Sequence, residues 1–138
     1  MKKFFVFLMF LGVSGVSSAE PSDTLIQALI KVESKCNDGA LGDIHLKQKA
    51  HGCLQIRQPV CDDVNRRFGT ACRAEDCLGN RELSIWLCKK YTSMYATAER
   101  IGRVPTDEDV ARIWNGGPNG YRRKSTEAYW AKVKKSLK

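Results

Sequence analysis

The sequence has few of the residues and motifs on which metal or nucleotide chemistry depends. It contains two histidines among 138 residues, and its six cysteines include no Cys-x-x-Cys pair. Common zinc sites are therefore excluded, because they need ligands a few residues apart. No HExxH motif, phosphate-binding loop or serine-hydrolase elbow occurs. We expect no metal and no cofactor, and we expect His45 and His51 to be isolated surface residues.

Long apolar runs are also missing, except for one near the N-terminus. Residues 4–13 are apolar, follow two lysines and precede the small residues 17–19, an order typical of a secretory signal peptide. The run is shorter than the roughly 20 residues of a membrane span, although an uncleaved anchor is the alternative. We expect residues 1–19 to be a signal peptide and residues 20–138 to form one domain. The domain would be secreted or periplasmic, without stable membrane insertion after cleavage.

All six cysteines lie beyond the predicted signal peptide: Cys36, Cys53, Cys61, Cys72, Cys77 and Cys88. An even number in an exported chain predicts three disulfide bonds. A domain of this size buries only about two-thirds of its unfolded surface, so covalent links would add useful stability.

Basic residues outnumber acidic ones. Without the two lysines of the predicted signal peptide, 21 Lys and Arg face 15 Asp and Glu, a formal net charge of +6. Many lie near the C-terminus: Arg122, Arg123, Lys124, Lys132, Lys134, Lys135 and Lys138. Such charge attracts anionic polymers, including those of bacterial envelopes. Charge alone fits nucleic acid equally well, and a solvated helix face is the plainer alternative; we expect envelope polymers as partners and no nucleic acid.

The first predicted helix begins after Ser22, whose side chain can cap it, and runs to about Ser34. Its apolar positions recur at helical spacing at Leu25, Ile26, Leu29, Ile30 and Val32. Residues 37–52 are polar and have no period, so we expect a loop or a short hairpin there. A second helix is predicted from Pro59, a residue favoured in a first turn, to about Phe68.

Two further helices follow a cysteine-bearing loop at residues 69–79. A long helix is predicted over residues 80–101 and ends at Gly102. A shorter one begins at Thr106, which forms a capping-box pattern with Asp109. The core positions of these helices are Leu83, Trp86, Leu87, Met94, Tyr95, Val110, Ile113 and Trp114.

The segment 115–120, Asn-Gly-Gly-Pro-Asn-Gly, is predicted to be a turn before a last helix capped by Ser125 or Thr126. Its glycines would let backbone amides approach a ligand closely, although a plain helix connection is the alternative. The whole pattern predicts a mainly α, α+β fold. It consists of one helical domain with a small irregular or hairpin lobe after the first helix.

Glu33 is the acidic residue with the most unusual predicted surroundings. It follows Ile26, Leu29 and Ile30 along one apolar stripe, in the last turn of its helix, where the helix dipole disfavours negative charge. Both effects favour a protonated carboxyl, which is what a general acid in glycosidic bond cleavage requires. The plainer alternative is a Glu at a hydrated helix end.

Glycoside cleavage usually needs a second carboxylate, which stabilises positive charge or activates a nucleophile. Asp43 lies in a polar loop that would keep it ionised, although Gly-Asp is also ordinary turn chemistry. Asp38, Asp62 and Asp63 are rivals, and the last two also suit the first turn of the second helix.

Three segments resemble the invertebrate-type lysozymes. Residues 29–36 resemble the family's helix end with Glu-Ser-Gly-Cys, and residues 52–56 resemble its Gly-x-x-Gln-Ile segment. Residues 111–120 and 129–133 are similar to its Ala-Arg-Ile-His-Asn-Gly-Gly-Pro block and the following Tyr-Trp-x-Lys-Val helix. Goose-type lysozymes and lytic transglycosylases share the first two segments more loosely. The resemblance spans residues 25–134, nearly all of the predicted domain.

The resemblance implies a lysozyme-like fold and a muramidase that cuts bacterial peptidoglycan between N-acetylmuramic acid and N-acetylglucosamine. It implies Glu33 as the general acid and Asp43 as the second carboxylate. The predicted substrate-binding residues are Gln55, Tyr91, Asn115, Gly116, Gly117 and Tyr129. The chain departs from the family at residues 44–51, a longer loop without the Gly-Ser-x-Ser-Cys-Gly run.

The resemblance also implies a disulfide pattern, although this chain has fewer cysteines than typical members. By analogy with the nested bonds of relatives, we expect Cys61–Cys88 to enclose Cys72–Cys77, which leaves Cys36–Cys53. Two alternative functions stay open. One is a lytic transglycosylase that uses Glu33 alone, and the other is a non-catalytic cationic protein that binds the cell wall.

Overall fold

The computed structural model describes residues 20–138, so the predicted signal peptide lies outside the described residues. Six α-helices and one two-stranded sheet follow in chain order: α1 Asp23–Ser34, β1 Leu41–Gly42, β2 Ala50–His51, α2 Gln58–Phe68, α3 Arg81–Tyr95, α4 Ala98–Ile101, α5 Asp107–Gly116 and α6 Glu127–Ser136. Short 3₁₀ helices span Ala74–Cys77, Gly120–Arg122 and Lys124–Thr126. None of the described helices is long and apolar enough to cross a bilayer.

Helix α1 forms the centre of the hydrophobic core. The Ser22 hydroxyl accepts a hydrogen bond from the Leu25 amide, as the sequence predicts, and the helix ends at Ser34. Four residues of its apolar stripe, Leu25, Ile26, Leu29 and Ile30, are at most 1% exposed, and Val32 is half-buried. The helix packs against α6, which also packs on α5. Burial of this stripe fixes α1 in the core and leaves Glu33, in its last turn, half-buried at the protein surface.

The lobe after α1 is the predicted short hairpin. Strands β1 and β2 are antiparallel, with Leu41 opposite His51 and Gly42 opposite Ala50. The Gln55 side chain closes the lobe, because its amide nitrogen donates to the carbonyls of Ala40 and Gly52. The mainly α fold with a small hairpin lobe is therefore confirmed.

The single long helix predicted over residues 80–101 is wrong, because the chain breaks at Ala96 and Thr97. Ala96 leaves the helical region with φ −86° and ψ 70°, and extended Thr97 caps α4 by accepting from the Arg100 amide. A threonine can either continue a helix or cap a new one. Both Ala96 and Thr97 are buried here, and this packing makes Thr97 the cap of a new helix.

Three smaller expectations also change. Thr126 occupies the N-cap position of α6 without capping it, because its buried hydroxyl donates to the Gly120 and Arg123 carbonyls. Helix α2 begins at Gln58, so Asp62 and Asp63 lie beyond its first turn. His51 is only half-exposed, and its Nδ1 is buried without a hydrogen-bond partner among the described residues.

All six cysteines lie among the described residues, and the predicted disulfide bonds stay predictions. Cys36 is exposed, Cys72 is half-buried and the other four are buried. The Cys77 thiol and burial raise the pKa of the Cys61 thiol, and Cys72 acts on it electrostatically, so these three cysteines are neighbours. The pairs Cys61–Cys88, Cys72–Cys77 and Cys36–Cys53 that the family resemblance implies stay predictions.

Candidate active site

A cleft of about 440 Å³ lies between the helical domain and the hairpin lobe. This volume is typical of a small-molecule or oligosaccharide site. The cleft is lined by Glu33, Asp43, Ala50, Gln55, Arg57, Pro59, Val60, Tyr91, Trp114, Asn115 and Gly117. It therefore brings together both predicted carboxylates and four of the six predicted substrate-binding residues. Gly116 and Tyr129 are not among its lining residues.

Glu33 lies at the inner wall of the cleft. Burial raises the pKa of its carboxyl above the usual value, because an ionised carboxylate loses its hydration there. The Tyr129 hydroxyl, the Arg57 charge and the Trp114 side chain oppose this rise, and Asp43 adds to it. Since desolvation is the largest effect, Glu33 favours its protonated form more than an exposed glutamate does.

Two aromatic side chains lie beside the Glu33 carboxyl. Tyr129, from α6, donates its hydroxyl to Glu33 Oε1 at 2.7 Å, and Trp114, from α5, is near enough to lower the pKa of the carboxyl. Burial, and then the Glu33 charge, raise the pKa of Tyr129 far above its normal value, so it stays a donor. Tyr129 is thus oriented toward the acid and not toward the open cleft.

Asp43 lies directly after β1, with its side chain 32% exposed. Its carboxylate accepts a hydrogen bond from Arg57, and the two form an ion pair at the cleft surface. Arg57 also acts electrostatically on Glu33. Arg57 was not among the residues predicted from the sequence, although it directly follows the family-like segment 52–56.

The three rival aspartates are all bound elsewhere. Asp38 pairs with Arg81 at 2.8 Å, and Asp62 accepts from the Gln58 amide. Asp63 accepts from the Tyr95 hydroxyl at 2.7 Å. None of the three lines the cleft, so Asp43 is the aspartate that accompanies Glu33 there.

Two non-glycine residues of the cleft have left-handed backbones. Asp43 has φ 51° and Gln55 has φ 52°, a conformation that costs roughly 1–2 kcal/mol for such residues. Strain of this kind is concentrated at functional sites in proteins. Gln55 is also packed closely against Gly42, because a Cβ added at Gly42 would lie 2.0 Å from the Gln55 side-chain oxygen. This packing fixes the position of Gln55 in the cleft wall.

The loop at residues 115–120 begins later than predicted, because Asn115 and Gly116 complete the last turn of α5. Asn115 and Gly117 line the cleft. Gly116 instead packs on Thr126, at the end of the 3₁₀ helix before α6, where an added Cβ would lie 2.5 Å from Thr126 Cγ2. A Cβ added at Gly120 would lie 1.9 Å from the Arg112 carbonyl oxygen. These two glycines therefore serve close packing.

Arg100, on α4, clamps this loop from outside the cleft. Its Nη1 donates to the carbonyls of Tyr95 at 2.9 Å and Pro118 at 3.0 Å, and its Nη2 donates to Asn119 Oδ1 at 3.3 Å. The guanidinium also lies over the Tyr95 ring, 5.2 Å from its centroid. The break that creates α4 thus supplies a side chain that positions the cleft loop.

Tyr91 is buried behind the cleft and packs edge-on against Trp114 and Tyr95, with centroid distances of 5.9 and 5.0 Å. Its hydroxyl makes no hydrogen bond to any residue in the described range 20–138 and faces Gly117. Burial raises the pKa of Tyr91, so the hydroxyl is a donor available to a ligand. No cluster of His, Cys, Asp or Glu suited to a metal ion occurs within residues 20–138.

Comparison with known proteins identifies the family. No family model matches the chain. The chain is 30% identical over 113 residues to a lysozyme of Magallana gigas, and the match covers 81% of this chain and 77% of that protein. It is also 30% identical over 118 residues to lysozyme 1 of Crassostrea virginica, a match that covers 85% of this chain and 60% of the relative's length. The chain belongs to the invertebrate-type lysozymes.

Solved lysozymes share the fold. The Tapes japonica lysozyme superposes with a TM-score of 0.68 at 25% identity, over 83% of this chain and 89% of that one. The inhibitor-bound lysozyme of Meretrix lusoria gives a TM-score of 0.70 at 24% identity, over 85% and 91% of the two chains. The lysozyme-like fold predicted from the sequence is confirmed, and the chain is a lysozyme-family enzyme.

One cleft residue marks a departure within this lysozyme family. Trp114 stands where the family's block has histidine, and the sequence predicted it to be a core residue. In the structure it is half-buried, lines the cleft and lowers the pKa of Glu33. The substitution in an otherwise matching block was the sequence signal for its role. An indole N–H cannot titrate near neutral pH, whereas a histidine can.

Proposed function

We propose that this lysozyme hydrolyses the β-1,4 bond between N-acetylmuramic acid and N-acetylglucosamine in peptidoglycan, with Glu33 as general acid and Asp43 as second carboxylate. The observation that carries the proposal is the pair of carboxyls in one cleft, of which Glu33 is desolvated and Asp43 is half-exposed. Two carboxyl groups in different surroundings can take the separate roles of acid and charge-stabilising base.

The reaction begins when Glu33 donates its proton to the glycosidic oxygen. The bond from that oxygen to C1 breaks, and the leaving sugar departs as an alcohol. The Asp43 carboxylate stabilises the positive charge on C1 and the ring oxygen, or bonds to C1. Water then attacks C1 and gives a proton to the Glu33 carboxylate, which restores the acid.

The donors around Glu33 assist the first step. As Glu33 loses its proton, its carboxylate accepts a hydrogen bond from Tyr129, and hydrogen bonds to charged groups are stronger than neutral ones. Trp114 and the Arg57 charge also favour the ionised form. Burial therefore raises the pKa of the resting acid, while the neighbouring groups stabilise the anion that forms in the reaction.

Substrate contacts follow from the cleft lining. The Asn115 side chain and the Tyr91 hydroxyl make no hydrogen bond within residues 20–138, and we propose that they bind the amide and hydroxyl groups of the sugars. The amide and carbonyl of Gly117 are already bonded to Ile113 and Gly120, so we propose that Gly117 lets the sugar approach closely. The side-chain nitrogen of Gln55 donates to two carbonyls of the lobe. Its side-chain oxygen is left to accept from a ligand or to pack within the lobe. The substrate lies outside the cytoplasm, so secretion or export to the periplasm, after removal of residues 1–19, is part of the proposal.

The ion pair between Asp43 and Arg57 favours a second candidate, a lytic transglycosylase. An aspartate held by an arginine is a weaker nucleophile, and a transglycosylase needs only the acid. The muramic acid 6-hydroxyl would then attack C1 and form an anhydro sugar in place of the water adduct. Mass spectrometry of the products distinguishes the two, because hydrolysis adds one water to each cleaved bond.

The direct test is Glu33→Gln on purified peptidoglycan. We expect near-complete loss of cleavage, since glutamine keeps the shape but has no proton to give. The matched control is Glu82→Gln, an exposed glutamate in the first turn of α3, which should cleave like the parent protein. If Glu33→Gln retains normal bacteriolysis and cleavage, the chain is a non-catalytic cationic wall-binding protein and the proposal is wrong.

A further inference from the structure

A second groove, of about 610 Å³, lies where α2, α3 and α4 meet. Arg67 and Phe68 line it from the end of α2, Lys90, Met94 and Tyr95 from α3, and Arg100 from α4. It shares no lining residue with the catalytic cleft. The proposed chemistry of Glu33 therefore leaves this groove without a role.

The cations of this groove are not neutralised by the protein. Six of the ten arginines in the chain are paired with carboxylates: Arg57, Arg66, Arg73, Arg81, Arg103 and Arg112. Within residues 20–138, Arg67 and Lys90 form neither a salt bridge nor a side-chain hydrogen bond. Glu99 is the one acidic residue in the lining, against Arg67, Lys90 and Arg100. The groove thus carries a local excess of positive charge that is complementary to an anion.

The aromatic rings of the groove are already in contact with cations. Arg67 and Lys90 each lie 5.6 Å from the centroid of Phe68, and Arg100 lies 5.2 Å from that of Tyr95. Single-stranded nucleic acids bind through bases stacked on open aromatic faces. Because cations occupy these faces, the groove favours an anionic polymer without aromatic bases, whose carbon backbone can lie against Met94 between the cations.

We propose that this groove is a second binding site, for a phosphodiester-linked polyol polymer of the bacterial envelope. Arginine matches phosphate oxygens with a two-pronged donor geometry, and lysine adds a flexible point charge. Arg67 and Lys90 bind successive phosphates, and Arg100 adds charge while its donors hold the cleft loop. Such a contact would retain the enzyme on the wall independently of the glycan in the cleft.

The test measures binding of purified polyglycerol phosphate by isothermal titration calorimetry. The double variant Arg67→Gln/Lys90→Gln should bind about tenfold more weakly, because two charged contacts are lost. The matched control, Lys132→Gln/Lys135→Gln, removes the same charge from α6 and should change affinity less than about twofold. Cleavage of peptidoglycan stripped of this polymer should be the same for all three proteins, which separates this proposal from the one on Glu33.

Two results would overturn the proposal. Equal weakening in the two double variants would mean that net charge, and not the groove, attracts the polymer. Equal or tighter binding of a single-stranded oligonucleotide with the same number of phosphates would assign the groove to nucleic acid. All four substituted side chains are exposed or half-exposed, so we expect the variants to fold. Thermal unfolding of each variant verifies this.

Discussion

At the scale of single residues, the protonation state of Glu33 depends on opposing contacts. Burial raises the pKa of this carboxyl, whereas Tyr129, Arg57 and Trp114 lower it. A fully apolar pocket would leave the anion without support, and an exposed site would lose the proton at neutral pH. Tyr129, Arg57 and Trp114 therefore limit how far the pKa of Glu33 rises, and so the pH range in which it can act as an acid.

Tyr129→Phe tests this balance directly. Loss of the hydroxyl removes a hydrogen bond that lowers the pKa of Glu33, so the alkaline limb of the pH profile for kcat/KM should move to higher pH. The value of kcat should fall about tenfold, because the carboxylate formed in the reaction loses a charged hydrogen bond. Tyr121→Phe, which removes a hydroxyl bonded to the Arg100 carbonyl, is the control and should leave the profile in place.

Glu33→Gln should also change stability in a pH-dependent way. A carboxyl whose pKa is raised in the folded state gives full stability below its unfolded pKa, and this is lost as pH rises through the folded value. The variant has no ionisation cost, so its free energy of unfolding should exceed that of the parent increasingly above about pH 4.5, with a plateau at higher pH. Urea unfolding at several pH values measures this difference. A difference that is independent of pH would contradict a buried, pKa-shifted Glu33.

At the scale of elements, the break between α3 and α4 has a consequence for the cleft. It places Arg100 where it can bind Pro118 and Asn119, on the loop that follows the cleft residues Asn115 and Gly117. Helix α5 and Thr126 hold the same loop from the other side through Gly116 and Gly120. Two helices thus position a loop that has little regular structure of its own.

Arg100→Ala should release one side of this loop. We expect KM to rise about tenfold with a smaller change in kcat, because misplaced binding groups weaken substrate contacts while the acid is unchanged. The pH profile should stay that of the parent. Arg66→Ala removes the same charge from an exposed position on α2 and should leave KM unchanged. A fall in kcat with a shifted pH profile would show that Arg100 acts on Glu33 and not on the loop.

At the scale of the whole molecule, the core and the cysteines decide how the two sides of the cleft are held together. The apolar stripe of α1 fixes the helical domain, whereas the hairpin lobe is held by Gln55 and by the segment around buried Cys53. A lobe with two-residue strands has little core of its own. Cross-links would therefore stabilise it more than they stabilise the helical domain.

We predict three disulfide bonds in the exported protein, each contributing roughly 2–4 kcal/mol. Peptide mapping by mass spectrometry without reduction determines the pairs. The family resemblance predicts Cys61–Cys88, Cys72–Cys77 and Cys36–Cys53. The proximity of Cys61 and Cys77 in the structure makes a Cys61–Cys77 peptide the outcome that would contradict the first two pairs. Six free thiols would contradict cross-linking altogether.

The sequence by itself determined the local features of this protein. The caps at Ser22 and Thr106, the end of α1 at Ser34 and the apolar stripe leading to Glu33 follow from residue type and spacing, because they depend on contacts within one or two turns. Only the tertiary structure decided that Tyr129 serves Glu33, that Trp114 and Arg57 line the cleft, and that Gly116 packs on Thr126. Those relations join residues far apart in the chain, and helical periodicity gives the face on which a side chain lies but not the partner that it meets there.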